Sequence, residues 1–379
     1  MKKMISLAAI AAIATLGMTS CDDKDADPVL EPVTTSEGVF VANSGNQSSK
    51  IDGTLTYYDY STKTAKQSVY QAANGKSLGV TLPGIVVYGS KIYIVGSLEN
   101  TVFIADRTTL KEIATVKTEI DGVGVKGRHA CAGNGHVYVA SYNNTVFAID
   151  TLTNTIDKTY ESGDYSDGIC YADGYVYTGD TDYGRYGKDT HGTPSVSKIN
   201  VTTGQTTIIT NEKFRNPTDI VCVDNRIFVQ DKGYYGGADG SQIEQNLFEL
   251  SSTGSIVKEI TPASTICASD SKIYIISAPY TKTGTTATYK VYDVKSGELS
   301  TFCEGTEVAY PNMISVDPIQ NIVYISSYQL KDGTTSANYK VAGYVCMYDA
   351  NTGSYLGQFD CGVGGGAVVA NTKTEMKEK

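Results

Sequence analysis

The stretch VYVASYNNTVFAID, Val137 to Asp150, is two apolar runs joined by a short polar crossing. Its first run recurs at intervals of about 39 to 53 residues as Val39 to Val41 (VFV), Ile92 to Val95 (IYIV), Val176 to Thr178 (VYT), Ile227 to Val229 (IFV), Ile273 to Ile276 (IYII) and Val323 to Ile325 (VYI). A second run follows each: LTYYDY from Leu55, TVFIAD from Thr101, SVSKIN from Ser195, LFELS from Leu247, YKVYDV from Tyr289 and YVCMYD from Tyr344. Val, Ile, Tyr and Phe bounded by Gly, Asn and Asp are strand residues with turn punctuation. The first runs are apolar at nearly every position, which fits strands buried on both faces.

A further strand precedes each first run across a tight turn, as in GIVVYGSKIYIV from Gly84 and GICYADGYVYT from Gly168, and a fourth follows turns such as Val201 to Gly204 (VTTG). Four short strands per unit, repeated at this period, predict an all-β fold: a seven-bladed β-propeller over residues 38–379. The first unit lacks its innermost strand. Gly366 to Ala370 (GAVVA) copies Gly84 to Tyr88 (GIVVY), so the C-terminal strand is expected to complete the first blade and close the ring.

Of 379 residues, Lys and Arg number 31 and Asp and Glu 41, a formal net charge of −10. That balance argues against nucleic-acid binding, which needs clustered cations. Met1 to Ser20 has a basic start (Lys2, Lys3), an apolar centre (Ile5 to Leu16) and small residues before Cys21, and reads as a secretory leader. Losing those two lysines leaves the mature chain near −12. Met18, Thr19, Ser20 and Cys21 resemble a bacterial lipobox, making Cys21 the expected lipidation site and residues 21–37 an acidic, lipidated tether on the membrane. Of the other cysteines, Cys131, Cys170 and Cys267 share one place in the repeat and read as small buried hydrophobes rather than as a bridge between blades. There is no CxxC spacing, and DTDYGRYGKD (Asp180 to Asp189) lacks the glycine and closing glutamate of a calcium loop, so no metal or cofactor is expected.

Nearly all the long connections fall at one end of the predicted scaffold, where function usually resides. They carry Tyr142, Tyr165, Tyr183, Tyr186, Tyr234, Tyr235, Tyr280, Tyr310 and Tyr328, with Phe214, Arg128, Arg215 and His129. Trp is absent and Tyr numbers 28, so the aromatic supply is ring plus hydroxyl. Such rings at a propeller mouth can stack on a large flat ligand, while Asn43, Asp167, Asp219 and Asn312 supply orienting hydrogen bonds. His136 belongs to a tight turn at the other end and is expected to be solvated.

The segments EGVFVANSGNQSSKIDGTLTYYD (Glu37 to Asp59), QAANGKSLGVTLPGIVVYGSKIYIVG (Gln71 to Gly96) and PNMISVDPIQNIVYISSY (Pro311 to Tyr328) resemble the YncE-like β-propeller surface lipoproteins of Bacteroidetes. The acidic run Asp22, Asp23, Lys24, Asp25 after Cys21 resembles the signal that sends lipoproteins of that phylum to the cell surface. The resemblance implies a non-catalytic outer-membrane protein that captures cobalamin, a corrinoid small molecule, as transported ligand and passes it to a BtuB-type, TonB-dependent outer-membrane transporter. Two other readings use the same face. One is a glycan- or protein-binding module. The other is a hydrolase or lyase with His129 as base.

Overall fold

The computed structural model describes residues 30–181, 192–236, 240–281 and 283–378. The leader, Cys21, Tyr183 and Tyr186 lie outside the described residues. The chain is nearly all β, and its main elements are four-stranded antiparallel sheets, as a propeller requires. The second sheet runs Gly84–Tyr88, Lys91–Gly96, Thr101–Asp106 and Glu112–Lys117; the third runs Gly127–Gly133, His136–Ser141, Thr145–Asp150 and Thr155–Glu161. The fourth, fifth, sixth and seventh repeat this meander from innermost strands Ser166–Ala172, Pro217–Val223, Thr265–Ser269 and Pro311–Asp317.

The first sheet is assembled differently. Leu30–Asn43, Thr54–Asp59 and Thr64–Lys66 form its outer part, and its innermost strand is Gly365–Glu378 from the other end of the chain. The Val39↔Ala370 and Val41↔Val368 pairs place GAVVA where the repeat predicts it, but the ladder continues to Leu30↔Glu378. Residues 30–37, expected as tether, are therefore paired strand. Two polar stretches join there by main-chain hydrogen bonds and a Thr34–Thr374 hydroxyl contact at 2.8 Å, with no apolar pattern to announce it.

The apolar runs are buried on both faces because each face meets a different sheet. Val137 and Val139 pack with Tyr93, Val95 and Ile104 of the second sheet, while Tyr138 and Ala140 pack with Ile169 and Val176 of the fourth. Side chains alternate across a strand, so one run serves two interfaces. The same division holds between the first and seventh sheets, where Val39, Val41 and Tyr58 meet Tyr324, Val345 and Phe359.

One turn design recurs between the third and fourth strands. Asp106, Asp150, Asn200, Asp293 and Asp349 each accept main-chain N–H bonds from the residues two or three places on, or from the third alone. The residue after the turn is left-handed in every sheet: Lys63, Leu110, Asn154, Gly204, Gly254, Gly297 and Gly353. A short polar side chain that satisfies the turn's own amides makes the reversal local. Asp349→Ala removes two such bonds and a third from the Thr352 hydroxyl, and should destabilise the chain, read as a lower urea midpoint with an unchanged slope. A midpoint equal to the parent's would show that the turn holds without its cap.

The disposition of the cysteines differs from the sequence expectation. Cys170 and Cys222 form a disulfide between the innermost strands of the fourth and fifth sheets, with Cα atoms 6.5 Å apart. Cys222 is one place out of step with Cys131, Cys170 and Cys267: it pairs with Ile227, whereas those three pair with Tyr138, Tyr177 and Tyr274. Its side chain therefore turns back toward the fourth sheet and meets Cys170 in their shared core. Cys131, Cys267, Cys303, Cys346 and Cys361 are free thiols.

Candidate functional site

The amino ends of the innermost strands converge on a cavity of about 250 Å³, lined by Arg128, His129, Asp167, Thr218, Asp219, Gln230, Lys232, Asn312, Met313 and Tyr328 among others. What aims these residues inward is a repeated irregularity. The ladder between first and second strands slips between Gly127 and Ala130, Ser166 and Ile169, Pro217 and Asp219, and Pro311 and Ile314. A bulge leaves residues unpaired and redirects their side chains. Arg128, His129, Asp167, Thr218, Asn312 and Met313 all fall inside these slips.

Asp167 is the centre of the charge arrangement. It accepts from Arg128 Nε at 2.9 Å and Nη2 at 3.2 Å, and its Oδ1 also takes His129 Nδ1 at 3.0 Å. Since a carboxylate only accepts, His129 carries its proton on Nδ1. The Tyr142 hydroxyl lies 3.5 Å from Asp167 Oδ2, and the Arg128 guanidinium covers the Tyr142 ring at 4.6 Å. Tyr165 stands edge-on to Tyr142 at 5.9 Å and has a left-handed backbone, φ 51°, uncommon for a bulky side chain.

The titrations follow from this packing. Burial pushes the Asp167 carboxyl up, but Arg128 and His129 outweigh it and hold the group well below the usual carboxylate range. Burial pulls the His129 imidazole down, yet the Asp167 hydrogen bond and charge, aided by Asp219 and opposed by Arg128, leave it above its ordinary value. Asp219 is different: burial dominates and lifts it to about 6 against the pull of His129, the Ile220 N–H and Lys232. The strands carrying Asp167 and Asp219 meet at Gly168, where a Cβ would come within 2.4 Å of Asp219 Cα, so only glycine permits the approach.

Beside the cavity lies an aromatic shelf. Tyr310 stands edge-on to Tyr328 at 6.3 Å, Tyr328 to Tyr339 at 4.8 Å, and Tyr235 to Tyr280 at 5.7 Å. Burial raises the Tyr310 hydroxyl, and Tyr339, Tyr280 and Tyr235 raise it further, so the two sets are near neighbours. Burial pushes Tyr328 up to about 12. Tyr235, Tyr280 and Tyr339 are 38%, 43% and 46% exposed and offer ring surface to solvent. Tyr235 and Tyr280 ride on two small ribbons, Tyr234–Tyr235 with Gln242–Ile243 and Tyr280–Thr281 with Gly284–Thr285.

Two sequence candidates are placed elsewhere. Asn43 is fully buried, donates to Thr54 and Thr56, and accepts from the Gly362 N–H. It closes its second strand, as Ser141, Asp180, Asp231, Ser277 and Ser327 close theirs, and these buried polar ends fasten the loops above them. Phe214 is core, 4% exposed and packed on Phe248. Arg215 pairs with Glu244 at 2.6 Å and gives its own N–H to Asp231, so it serves the rim loop. Tyr234 is half-buried against Gly236, and Asn312 lines the cavity with its amide given to the Gly365 carbonyl at 2.8 Å. Tyr339, Thr218, Gln230, Lys232 and Met313 are additions that the sequence reading missed. Tyr339 lies within one of the long connections, Thr218 and Met313 depend on the bulges, and Gln230 and Lys232 come from the end of the strand paired with one of them.

Residues 37–122 match the model of a family described as a domain of unknown function, DUF5074. A search of the curated proteins returns no match. Among solved structures, the computationally designed Ika8 protein superposes with a TM-score of 0.54 at 14% identity, covering 89% of this chain and 93% of its own. The hydrazine synthase of Kuenenia stuttgartiensis gives 0.55 at 13% identity, covering 78% and 96%. These likenesses fit a propeller protein. At such identities they speak for the fold alone, and the propeller's loop-bearing end is where the cavity and the shelf lie.

Proposed function

We propose that this propeller has seven blades, is closed by its C-terminal strand, and serves as a YncE-like surface lipoprotein that captures a cobalamin-class corrinoid without catalysis. The innermost strands support closure: each neighbours the next, and Gly365–Glu378 neighbours both Pro311–Asp317 and Gly84–Tyr88. The observation that carries the ligand reading is the exposed tyrosine shelf beside a polar cavity of about 250 Å³. A corrin macrocycle is too wide for that cavity. It would lie across the shelf and send an amide arm down to Asp219, Gln230 and Lys232. Among cobalamin-capturing proteins of that kind, the sequence resembles BtuG. On this reading Cys21 carries the lipid that holds the protein at the outer-membrane surface, and a BtuB-type transporter receives the ligand.

Calorimetric titration with cyanocobalamin tests the reading. The expected result is one site per chain, with Tyr328→Ala and Tyr339→Ala each weakening binding at least tenfold, since aromatic contacts at such a mouth carry a large share of the energy. No heat at micromolar protein would exclude the corrinoid. Retention on polysaccharide in its place would move the shelf to sugar stacking.

A further inference from the structure

At the tight-turn end of the third sheet, remote from the cavity, three consecutive strands bring together His136, Asp150 and Asp157. One ring nitrogen and one carboxylate oxygen from each aspartate all lie within 4.8 Å of one another. His136 faces Asp150 directly across the ladder, and Asp157 is the extra residue of a bulge between Ile156 and Lys158. The cluster is held rigidly: the His136 ring stacks on Tyr138 at 5.9 Å, which stacks on Tyr171 at 5.7 Å.

His136 Nδ1 is 3.1 Å from the Asn134 carbonyl, an oxygen that only accepts, so Nδ1 bears a proton. Nε2 faces Asp157 Oδ2 at 3.0 Å and pairs with it when the ring carries a second proton, a proton that a metal ion would displace. A ring N–H donated to a main-chain carbonyl, with the other nitrogen set among carboxylates, is the arrangement of a metal-bound histidine.

The repeat supplies an independent argument. The place of His136 is held in the second and sixth sheets by Lys91, opposite Asp106, and Lys272, opposite Asp293. In the fifth sheet it is held by Arg226, paired with Glu249 at 2.6 Å. In these three sheets the corner takes a positive charge, whereas the fourth and seventh place Tyr175 opposite Asn200 and Ile322 opposite Asp349. The third sheet puts a histidine there against two carboxylates, so the positive charge comes either from a second ring proton or from a metal ion in its place.

We infer that His136, Asp150 and Asp157 bind a divalent transition cation of the zinc class, with water completing the shell. Nitrogen in the donor set favours such an ion over calcium or magnesium, which take oxygen shells. Asp150 Oδ1 is engaged by the Leu152 and Thr153 amides, so Oδ2 is its ligand atom. The ion would fasten three strands at the outer end of one hairpin.

The test is calorimetric titration of the chelator-dialysed full chain with Zn²⁺, repeated with Co²⁺ as a spectroscopic reporter. One Zn²⁺ per chain is expected, weakened at least tenfold in His136→Ala and in Asp157→Asn. Asp157→Asn keeps the side chain's shape, so loss of binding there with an unchanged urea midpoint in chelator reads ligation rather than folding. No uptake by the parent, or variants that bind as tightly as it does, would overturn the site.

Discussion

Ending the chain at Val363 should abolish cooperative unfolding. The deletion removes Gly365–Glu378, the strand that pairs with Leu30–Asn43 from Leu30↔Glu378 to Asn43↔Gly365. It also strips Val368 and Ala370 from the core shared with the seventh sheet, and Ala367 and Val369 from the one shared with the second. Two interfaces would open and a long strand edge would stand unpaired, a template for aggregation. Burial of a single such side chain is worth about 1.5–3 kcal/mol, and several are lost together against a total stability of order 5–15 kcal/mol. The expected outcome is a broad, low-amplitude urea transition and recovery mainly as aggregate. A sharp transition at the parent's midpoint would mean that the remaining sheets hold without it.

The second large effect is on pH. Asp180 and Asp231 are fully buried, and desolvation raises each to about 6, even though Asp180 accepts from Ser166, Thr178, Ser195 and Ser197 and Asp231 from the amides of Arg215, Asn216 and Gly233. Asp219 rises equally. Between about pH 4 and 6 the folded chain therefore binds more protons than the unfolded one, and stability falls as pH rises through that window. Each group is worth up to about 3 kcal/mol across it. The raised imidazole of His129 acts in the same sense at higher pH, its contribution being lost as pH climbs through its folded value. Asp167, Asp106, Asp293 and Asp349 are lowered, so their contribution disappears below about pH 4. The urea midpoint should accordingly be higher near pH 4.5 than near pH 7.5, with a maximum on the acid side. Asp180→Asn and Asp231→Asn should each flatten that slope. A midpoint that climbs from pH 4.5 to 7.5 would contradict the desolvation account.

The parts of this architecture that read out of the sequence are those set by burial. Val137 to Ala140 announces itself because both faces are apolar, and GAVVA is recognisable because it copies GIVVY. The parts that did not read out are set by backbone slip or by polar pairing. Nothing in the residue types marks the shifts that turn Arg128, Asp167 and Asn312 toward one cavity. Asn43 reads in the sequence as a hydrogen-bonding group at the mouth, and only its bond from the Gly362 N–H shows that it faces inward. Cys222 differs from Cys170 by one place in register, and that single step reverses its direction and makes the bridge. Leu30 to Glu37 has no apolar rhythm, since its partner from Thr372 onward has none either.

The course of the opening strand has one more implication. Leu30–Asn43 travels from the end that bears the tight turns to the end that bears the cavity, where Ser44 joins its wall. Leu30 thus stands on the far side from the tyrosines. A molecule moored by its amino terminus would hold its receiving surface outward, and a larger partner could approach from above without meeting the mooring.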